Sequence, residues 1–250
     1  MSLYNIRRRN PLVHCITNNV VTNFTANGLL ATGASPIMAD EVEEMNDVVS
    51  VVDALLINIG TIHARSRNAM LVAGKKANER KLPVVLDPVG VGVSAFRKET
   101  VKDLLETVAF TLIRCNAGEL ASIAGVNWQS KGVDSGNGDM EVPDVAKEVA
   151  KMYRCYVIVT GLTDVITDGE TVLYTTGGHE LMTQVTGTGC LLSAICAAAL
   201  TIDGNSLENL QQVMQDYKDV AVKASESELL GSFQVGVLNA IHELSRGEVH

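Results

Sequence analysis

The stretch Thr186-Gly187-Thr188-Gly189-Cys190 sets two glycines and a thiol immediately ahead of an apolar run of mostly small residues, LLSAICAAAL. Such a turn exposes several backbone N–H groups where a helix starts, which is how proteins build an anion site. The glycines let the backbone approach a phosphate closely. The helix beginning near Cys190 adds its positive end, worth about 0.3–1 kcal/mol when exposed and up to about 2 kcal/mol when partly buried. Asp87 and Glu119 offer the oxygen ligands that Mg²⁺ prefers, while a bound triphosphate would offer others. Turn, thiol and carboxylates together point to phosphoryl transfer, a reaction that depends mainly on positioning and charge neutralisation.

The chain does not take the commonest routes to phosphate. It has no GxxxxGK[ST], and Gly90-Val91-Gly92 runs into Val93-Ser94-Ala95 without completing GxGxxG. A thiol near its ordinary pKa of about 8.5 is only a few per cent thiolate at pH 7, whereas a well-matched general base contributes about 10²–10⁴-fold. At Cys190 a helix N-terminus lowers that pKa and a bound triphosphate raises it, so the net direction stays open. Cys190 is expected against the substrate hydroxyl, as a weak base or a positioning group. Two other readings remain: an acyl-transfer enzyme with Cys190 as nucleophile, whose base could come only from His14 or His179, and a nucleotide-binding regulator without turnover.

The elements that must hold these groups follow a βα rhythm. DALLINIG, Asp53 to Gly60, reads as a strand, followed by a helix in which Ala69, Val72 and Ala73 can face a sheet. Val84 to Leu86 is a second strand, stopped at Asp87-Pro88. Phe110 to Ile113 is a third, after which Asn116-Ala117-Gly118-Glu119 opens a helix, and CYVIVTG is a fourth, ending at Thr160. Two short strands around Asp168-Gly169 make a hairpin. Two long amphipathic helices, LENLQQVMQDYKDVAVKASE and SFQVGVLNAIHELSRG, close the chain. Ser130 to Val142 reads as a polar surface loop.

This pattern predicts one domain over residues 1–250, of class α/β with three layers (α/β/α) and a mostly parallel central sheet. In such sheets ligands bind beyond the carboxyl ends of the strands, where Asp87, Arg114, Asn116, Glu119, Thr160 and the glycine turn all gather. Taken singly, Asp87 before a proline could only cap a turn, and Asn116 could only cap a helix.

A net charge of −9 and a pI near 5.0 argue against a nucleic-acid or membrane-surface partner, both of which are polyanionic. Arg7-Arg8-Arg9 is the only basic run and is expected as a solvated face. Five cysteines without CxxC spacing suit neither a disulfide framework nor a zinc site, and the N-terminus lacks the apolar core of a signal peptide. A cytoplasmic protein is therefore expected.

The order of motifs resembles the ribokinase-like superfamily of small-molecule kinases: a strand-ending Asp, N-x-x-E, a strand ending in T-G, then G-T-G opening a small-residue helix. Most members carry an aspartate where this chain has Cys190. That cysteine, together with HCITNNVVTNFTANGLLATGASPIMAD at residues 14 to 40, resembles the hydroxyethylthiazole kinases over nearly the whole chain. The resemblance implies ATP-dependent phosphorylation of 4-methyl-5-(2-hydroxyethyl)thiazole in thiamine salvage, with Mg²⁺, in a homotrimer whose pockets lie at subunit contacts. It puts thiazole binding on Met38 and the backbone of Gly187, ATP binding on Arg114 and Thr160, and the metal and phosphate region on Asp87 and Glu119. Thr188 and Gly189 complete the anion turn, and Cys190 matches the family's active-site cysteine. The chain departs from the family's R-G-N-A-S-E by reading Arg114-Cys115-Asn116-Ala117-Gly118-Glu119, which keeps Asn and Glu but loses a serine hydroxyl near the nucleotide. A kinase acting on another small alcohol, such as hydroxymethylpyrimidine, is the nearest rival.

Overall fold

The structure, a computed structural model, describes residues 2–126 and 141–247. Eight described strands form one sheet in the order β2-β1-β3-β4-β5-β6-β7-β8. They are β1 (Leu12–Ile16), β2 (Ser35–Ile37), β3 (Ala54–Asn58), β4 (Val84–Asp87), β5 (Leu112–Asn116), β6 (Tyr156–Thr160), β7 (Thr163–Thr167) and β8 (Val172–Thr176). Strands β1 to β6 run parallel, and β7 and β8 add an antiparallel hairpin at one edge. Gly169 takes φ +98° in the turn of that hairpin, where a side chain would be strained.

Residues alternate across the sheet with period two, and each face has its own helical layer. Val13, Cys15, Ala54, Leu56, Val85, Leu112 and Ile158 pack against α1 (Ser2–Arg9), α2 (Thr22–Thr32), α9 (Thr188–Ala199), α10 (Ser206–Ala224) and α11 (Leu230–Arg246). The short α8 (Leu181–Gln184) joins that side through Leu181. Ile16, Leu55, Ile57, Val84, Leu86, Ile113 and Val157 pack against α3 (Met45–Val51), α4 (Ala64–Glu79), α5 (Ala95–Thr107), α6 (Ala117–Ala124) and α7 (Val142–Tyr153). Each fully buried Val, Leu or Ile is worth about 1.5–3 kcal/mol, so these two interiors hold the three layers together.

The expected strands, hairpin and terminal helices are all present, with adjustments. The third expected strand begins at Leu112 and runs to Asn116, so Phe110 precedes it. The glycine turn is shorter than expected, because α9 begins at Thr188 and Cys190 already lies in its first turn. Strands β1 and β2 and the helices around them were not anticipated. The loop expected at Ser130 to Val142 lies outside the described residues up to 140, and Val142 opens α7. Arg7 is more than a solvated charge: its Nη2 donates to the Ala31 carbonyl at 2.6 Å and its Nε to Ser245 Oγ at 2.9 Å, tying α1 to α2 and α11. Arg8 and Arg9 are exposed.

Helix α9 runs through the interior, packed on β1, β3 and β4 and between α2 and α10. A helix apolar all round belongs in such a place. Leu191 to Ala199 are all buried, and the alanines among them combine high helix propensity with close approach to the sheet. Ser193 is the one polar side chain inside that buried run.

Candidate active site

The period of the strands decides which polar residues meet α9. Counting by twos from Leu56, Val85, Leu112 and Ile158, that face next carries Asn58, Asp87, Arg114 and Thr160. Asn58, Asp87 and Thr160 close their strands, Arg114 stands two residues before the end of β5, and Asn58 lies directly across from Asp87 in the register of β3 and β4. Four parallel strands thus deliver four polar groups to one side of the sheet, under the start of α9.

Asp87 is completely buried. Its Oδ2 accepts from Asn58 Nδ2 and from Ser193 Oγ, each at 2.8 Å, while its Oδ1 is buried without a hydrogen-bond partner. Burial pushes its pKa up to about 7; the neighbouring Glu119 charge adds to that rise, and Arg114 and the two hydrogen bonds oppose it. Asn18 Nδ2 donates to Asn58 Oδ1 at 3.1 Å and to the Cys190 sulfur at 3.4 Å. The thiol therefore sits in a chain of polar groups leading back to Asp87, on the same helical face as Ser193 three residues on.

The surroundings of the Cys190 thiol push its ionisation in one direction. Burial first, and the Asp87 charge second, push Cys190 up to about 11 against the opposing pull of Asn58, Arg114 and Asn18. Neither candidate histidine bonds to it. His14 lies between Val13 and Cys15, which face α9, so its ring points to the other layer, where Nε2 lies 2.9 Å from the Ala39 carbonyl oxygen. His179 accepts from the Leu181 N–H at 3.3 Å and lies beside Phe233. A half-buried thiol held protonated and without a base is poorly suited to nucleophilic attack. Cys196, expected as a small buried hydrophobe, is fully buried with its thiol pushed up to about 12.

The anion turn is formed as the glycines require. Gly187 precedes α9 with φ +94°, and a Cβ there would lie 2.7 Å from Val21 Cγ1. No side chain caps the helix, so its first N–H groups face the strand ends. Thr188 is held from both sides, its Oγ1 donating to the Met182 carbonyl and its own carbonyl accepting from Tyr217 Oη, each at 2.7 Å. A Cβ on Gly189 would come within 2.8 Å of Arg114 Nη1, which places the guanidinium directly against the turn. Arg114 Nη2 donates to Thr160 Oγ1 at 2.6 Å, and its buried Nε has no partner. Burial opposes the arginine's charge, but Asp87 and Glu119 outweigh it and hold the group protonated.

Glu119 and Asn116 form a capping box on α6: the Glu119 N–H donates to Asn116 Oδ1 and the Asn116 N–H to Glu119 Oε2, both at 2.9 Å. Glu119 Oε1 also accepts from Gly90 N–H at 2.9 Å, linking α6 to the loop after Asp87. The helix cap foreseen for Asn116 is thus real, and Glu119 serves it while charging the Asp87–Arg114 surroundings. Among the described residues no three His, Cys, Asp or Glu form a metal cage. Met38 stands apart from this cluster, just past the edge strand β2, half-buried against the α9-side core.

Asn18, Asn58 and Ser193 are the functional-site candidates that the sequence reading missed. Asn58 carried a legible signal, a polar residue closing the apolar run ALLI; Ser193 carried another, the i+3 spacing from Cys190. Asn18, on the unanticipated β1 loop, had none of that kind.

The hydroxyethylthiazole kinase family model matches residues 3–247. A hydroxyethylthiazole kinase of Lysinibacillus sphaericus is 52% identical over 247 residues, covering 98% of this chain and 97% of the relative. The solved structure of a hydroxyethylthiazole kinase protein from Pyrococcus horikoshii superposes with a TM-score of 0.88 at 36% identity, over 97% of this chain and 91% of that one. A ribokinase-like superfamily protein from Enterococcus faecalis, 11% identical, shares the fold with a TM-score of 0.70 over 96% of this chain and 89% of its own. With nearly its full length matched, and with the strand-end cluster lying under an uncapped helix start, the chain belongs to the hydroxyethylthiazole kinase family.

Proposed function

We propose that the chain transfers the γ-phosphoryl group of ATP to the hydroxyl of 4-methyl-5-(2-hydroxyethyl)thiazole, yielding the thiazole phosphate and ADP in thiamine biosynthesis and salvage. The observation that carries the reading is the uncapped start of α9 with Arg114 pressed against Gly189. Backbone N–H groups, the helix's positive end and a guanidinium with unused donors converge there, an arrangement suited to phosphate.

In this reading Arg114 and Thr160 hold ATP, and the N–H groups of Thr188, Gly189 and Cys190 hold the migrating phosphoryl group. Met38 and the backbone at Gly187 receive the thiazole, the methionine offering a polarizable surface to a sulfur heterocycle. Cys190 orients the substrate hydroxyl beside the phosphoryl group. With its thiol at about 11, it acts by position more than by taking the proton. Asn18 fixes the sulfur, and Asn58 and Ser193 fix Asp87.

The unpartnered Oδ1 of Asp87, with Glu119 nearby, fits Mg²⁺, which takes few protein ligands and keeps waters and phosphate oxygens for the rest. When bound, the metal would neutralise charge on the phosphates. A homotrimer with the thiazole pockets at subunit contacts is part of the proposal. It is supported by Met38 lying past an edge strand and by the exposed apolar residues Val20 and Leu30 flanking and ending α2, next to Val21, which touches Gly187. A cytoplasmic setting is supported by five free cysteines, and among the described residues no helix is long and apolar enough to cross a membrane.

The test is a coupled ADP-release assay with a panel of heterocyclic alcohols. Mg²⁺-dependent turnover with the hydroxyethylthiazole, at a kcat/KM well above that for hydroxymethylpyrimidine, is expected. Preference for the pyrimidine alcohol would reassign the substrate, and ATP binding without turnover on any alcohol would leave a regulator.

A further inference from the structure

A lysine outside the cluster just described holds two of the backbone segments on which its nucleotide side depends. Lys218, on α10, is only 11% exposed in its side chain, and it pairs with Asp164, which is 3% exposed, at 3.2 Å. Its Nζ also lies 3.4 Å from the Gly161 carbonyl oxygen and 3.4 Å from the Gly177 carbonyl oxygen. An ammonium has three donors, and here three oxygens surround it, two from Gly161 and Asp164 at the β6–β7 connection and one from the segment after β8.

The counter-ion is engaged in the same way. Asp164 Oδ1 accepts from the Gly161 N–H at 3.0 Å, and its Oδ2 accepts from Thr175 Oγ1 at 2.9 Å. Gly161 is therefore gripped at both ends of its peptide chemistry, its N–H by Asp164 and its carbonyl by Lys218. It follows Thr160, the hydroxyl against which Arg114 rests. Gly177, the other carbonyl, begins the segment that leads through α8 to the glycine turn. The residue before the lysine, Tyr217, donates to the Thr188 carbonyl inside that turn. Two consecutive residues of α10 thus reach both walls of the anion site.

A surface lysine contributes little and tolerates loss. A desolvated one costs free energy to bury and leaves a buried charge behind when removed. Stability alone would be served as well by apolar packing at this place, whereas ordering two carbonyl-bearing loops needs a donor that can reach both at once.

We propose that Lys218 is a positioning residue for the nucleotide half of the site, its ammonium setting the Thr160–Gly161 edge and the Gly177 segment at the spacing ATP requires. The proposal rests on the functional reading above, in which Thr160 and the turn hold ATP.

The test is direct binding of ATP with Mg²⁺, measured calorimetrically without the alcohol, beside steady-state kinetics. Lys218→Ala is expected to weaken ATP binding about tenfold or more, roughly what one lost hydrogen bond is worth. Its KM for the alcohol is expected to stay within about twofold. Propylammonium, which refills the space and the charge, should restore ATP binding in that variant and leave Lys218→Met unchanged.

Wild-type ATP affinity in Lys218→Ala, parallel losses for ATP and alcohol, or no recovery with propylammonium would overturn the proposal. Should the alanine variant not fold, the double variant Lys218→Met with Asp164→Asn removes both buried charges together. It is expected to fold and to bind ATP about tenfold more weakly, and wild-type affinity there would overturn the proposal equally. A wild-type chain that binds ATP but does not phosphorylate the thiazole alcohol would instead refute the functional reading and leave the role of Lys218 standing.

Discussion

At Cys190 the surroundings hold the thiol in its protonated form, burial first and the Asp87 charge second. With the thiol pushed up to about 11, little of it is thiolate at pH 7, and in the proposed reading the sulfur acts by position. Cys190→Asp should keep or raise kcat, because a carboxylate pushed up by the same burial still ionises far more readily than this thiol. Cys190→Ala should lower kcat about tenfold or more while ATP and thiazole binding change little. In wild type, with the thiol pushed up to about 11 and acting by position, activity should stay level from about pH 8 to about pH 10. A slope-one rise continuing beyond pH 8 would make the thiolate the base after all, and an alanine variant equal to wild type in single turnover would reduce Cys190 to packing. Much of this site was legible: Asp87 and Thr160 close predictable strands, Arg114 lies near the end of another, and the glycine turn opens a predictable helix. The polar chain Asn18–Asn58–Asp87–Ser193 was not, because it joins residues up to 175 positions apart through side chains whose meeting depends on how α9 crosses the sheet.

Helix α6 shows one residue serving two levels of structure. Glu119 caps the helix through Oε2, links it to the loop after β4 through Oε1, and bears the charge that helps keep Arg114 protonated. Glu119→Gln keeps one acceptor oxygen but turns a donor toward a backbone N–H, costing about 1–3 kcal/mol, and it removes the charge. Asn116→Ala breaks the cap at about 1 kcal/mol and leaves the charge in place. Both should lower the melting temperature, while only Glu119→Gln should also raise the Mg²⁺ concentration needed for half-maximal ADP release. Equal kinetic losses in the two variants would make Glu119 a cap and nothing more. Strands β3 to β6 were legible because each is a run of β-branched and aliphatic residues ended by a polar or glycine-containing turn. LVHCI in β1 and SPI in β2 were not, since one is interrupted by a histidine that tertiary packing buries and the other is three residues long with a proline at its centre.

The assembled molecule leaves its nucleotide and thiazole sides unequally finished. Around ATP, everything proposed to act comes from strand ends and helix starts braced within one chain. Met38 lies instead past the three-residue edge strand β2, and apolar side chains stand exposed close by in sequence and on the neighbouring helix: Val20 at 66%, Leu30 at 56%, and Leu229 and Val235, at the start of α11 and within it, at 70% and 57%. Helices α2 and α11, which carry or adjoin these residues, pack together in the same layer. Apolar surface of that kind marks association, and closed rings of identical chains satisfy it without leaving an unpaired face. Such a surface fixes no number of copies; for the homotrimer proposed above, sedimentation equilibrium should find three 26.7 kDa chains per particle. Leu30→Glu places a charge on the exposed side of α2 without touching either core; it should give monomers whose ATP binding stays near wild type and whose KM for the thiazole alcohol rises about tenfold or more, the loss expected when part of a pocket departs with its neighbour. A wild-type monomer with full activity, or a dissociated variant whose thiazole KM is unchanged, would mean that one chain completes its own pocket and that the exposed apolar side serves some other contact.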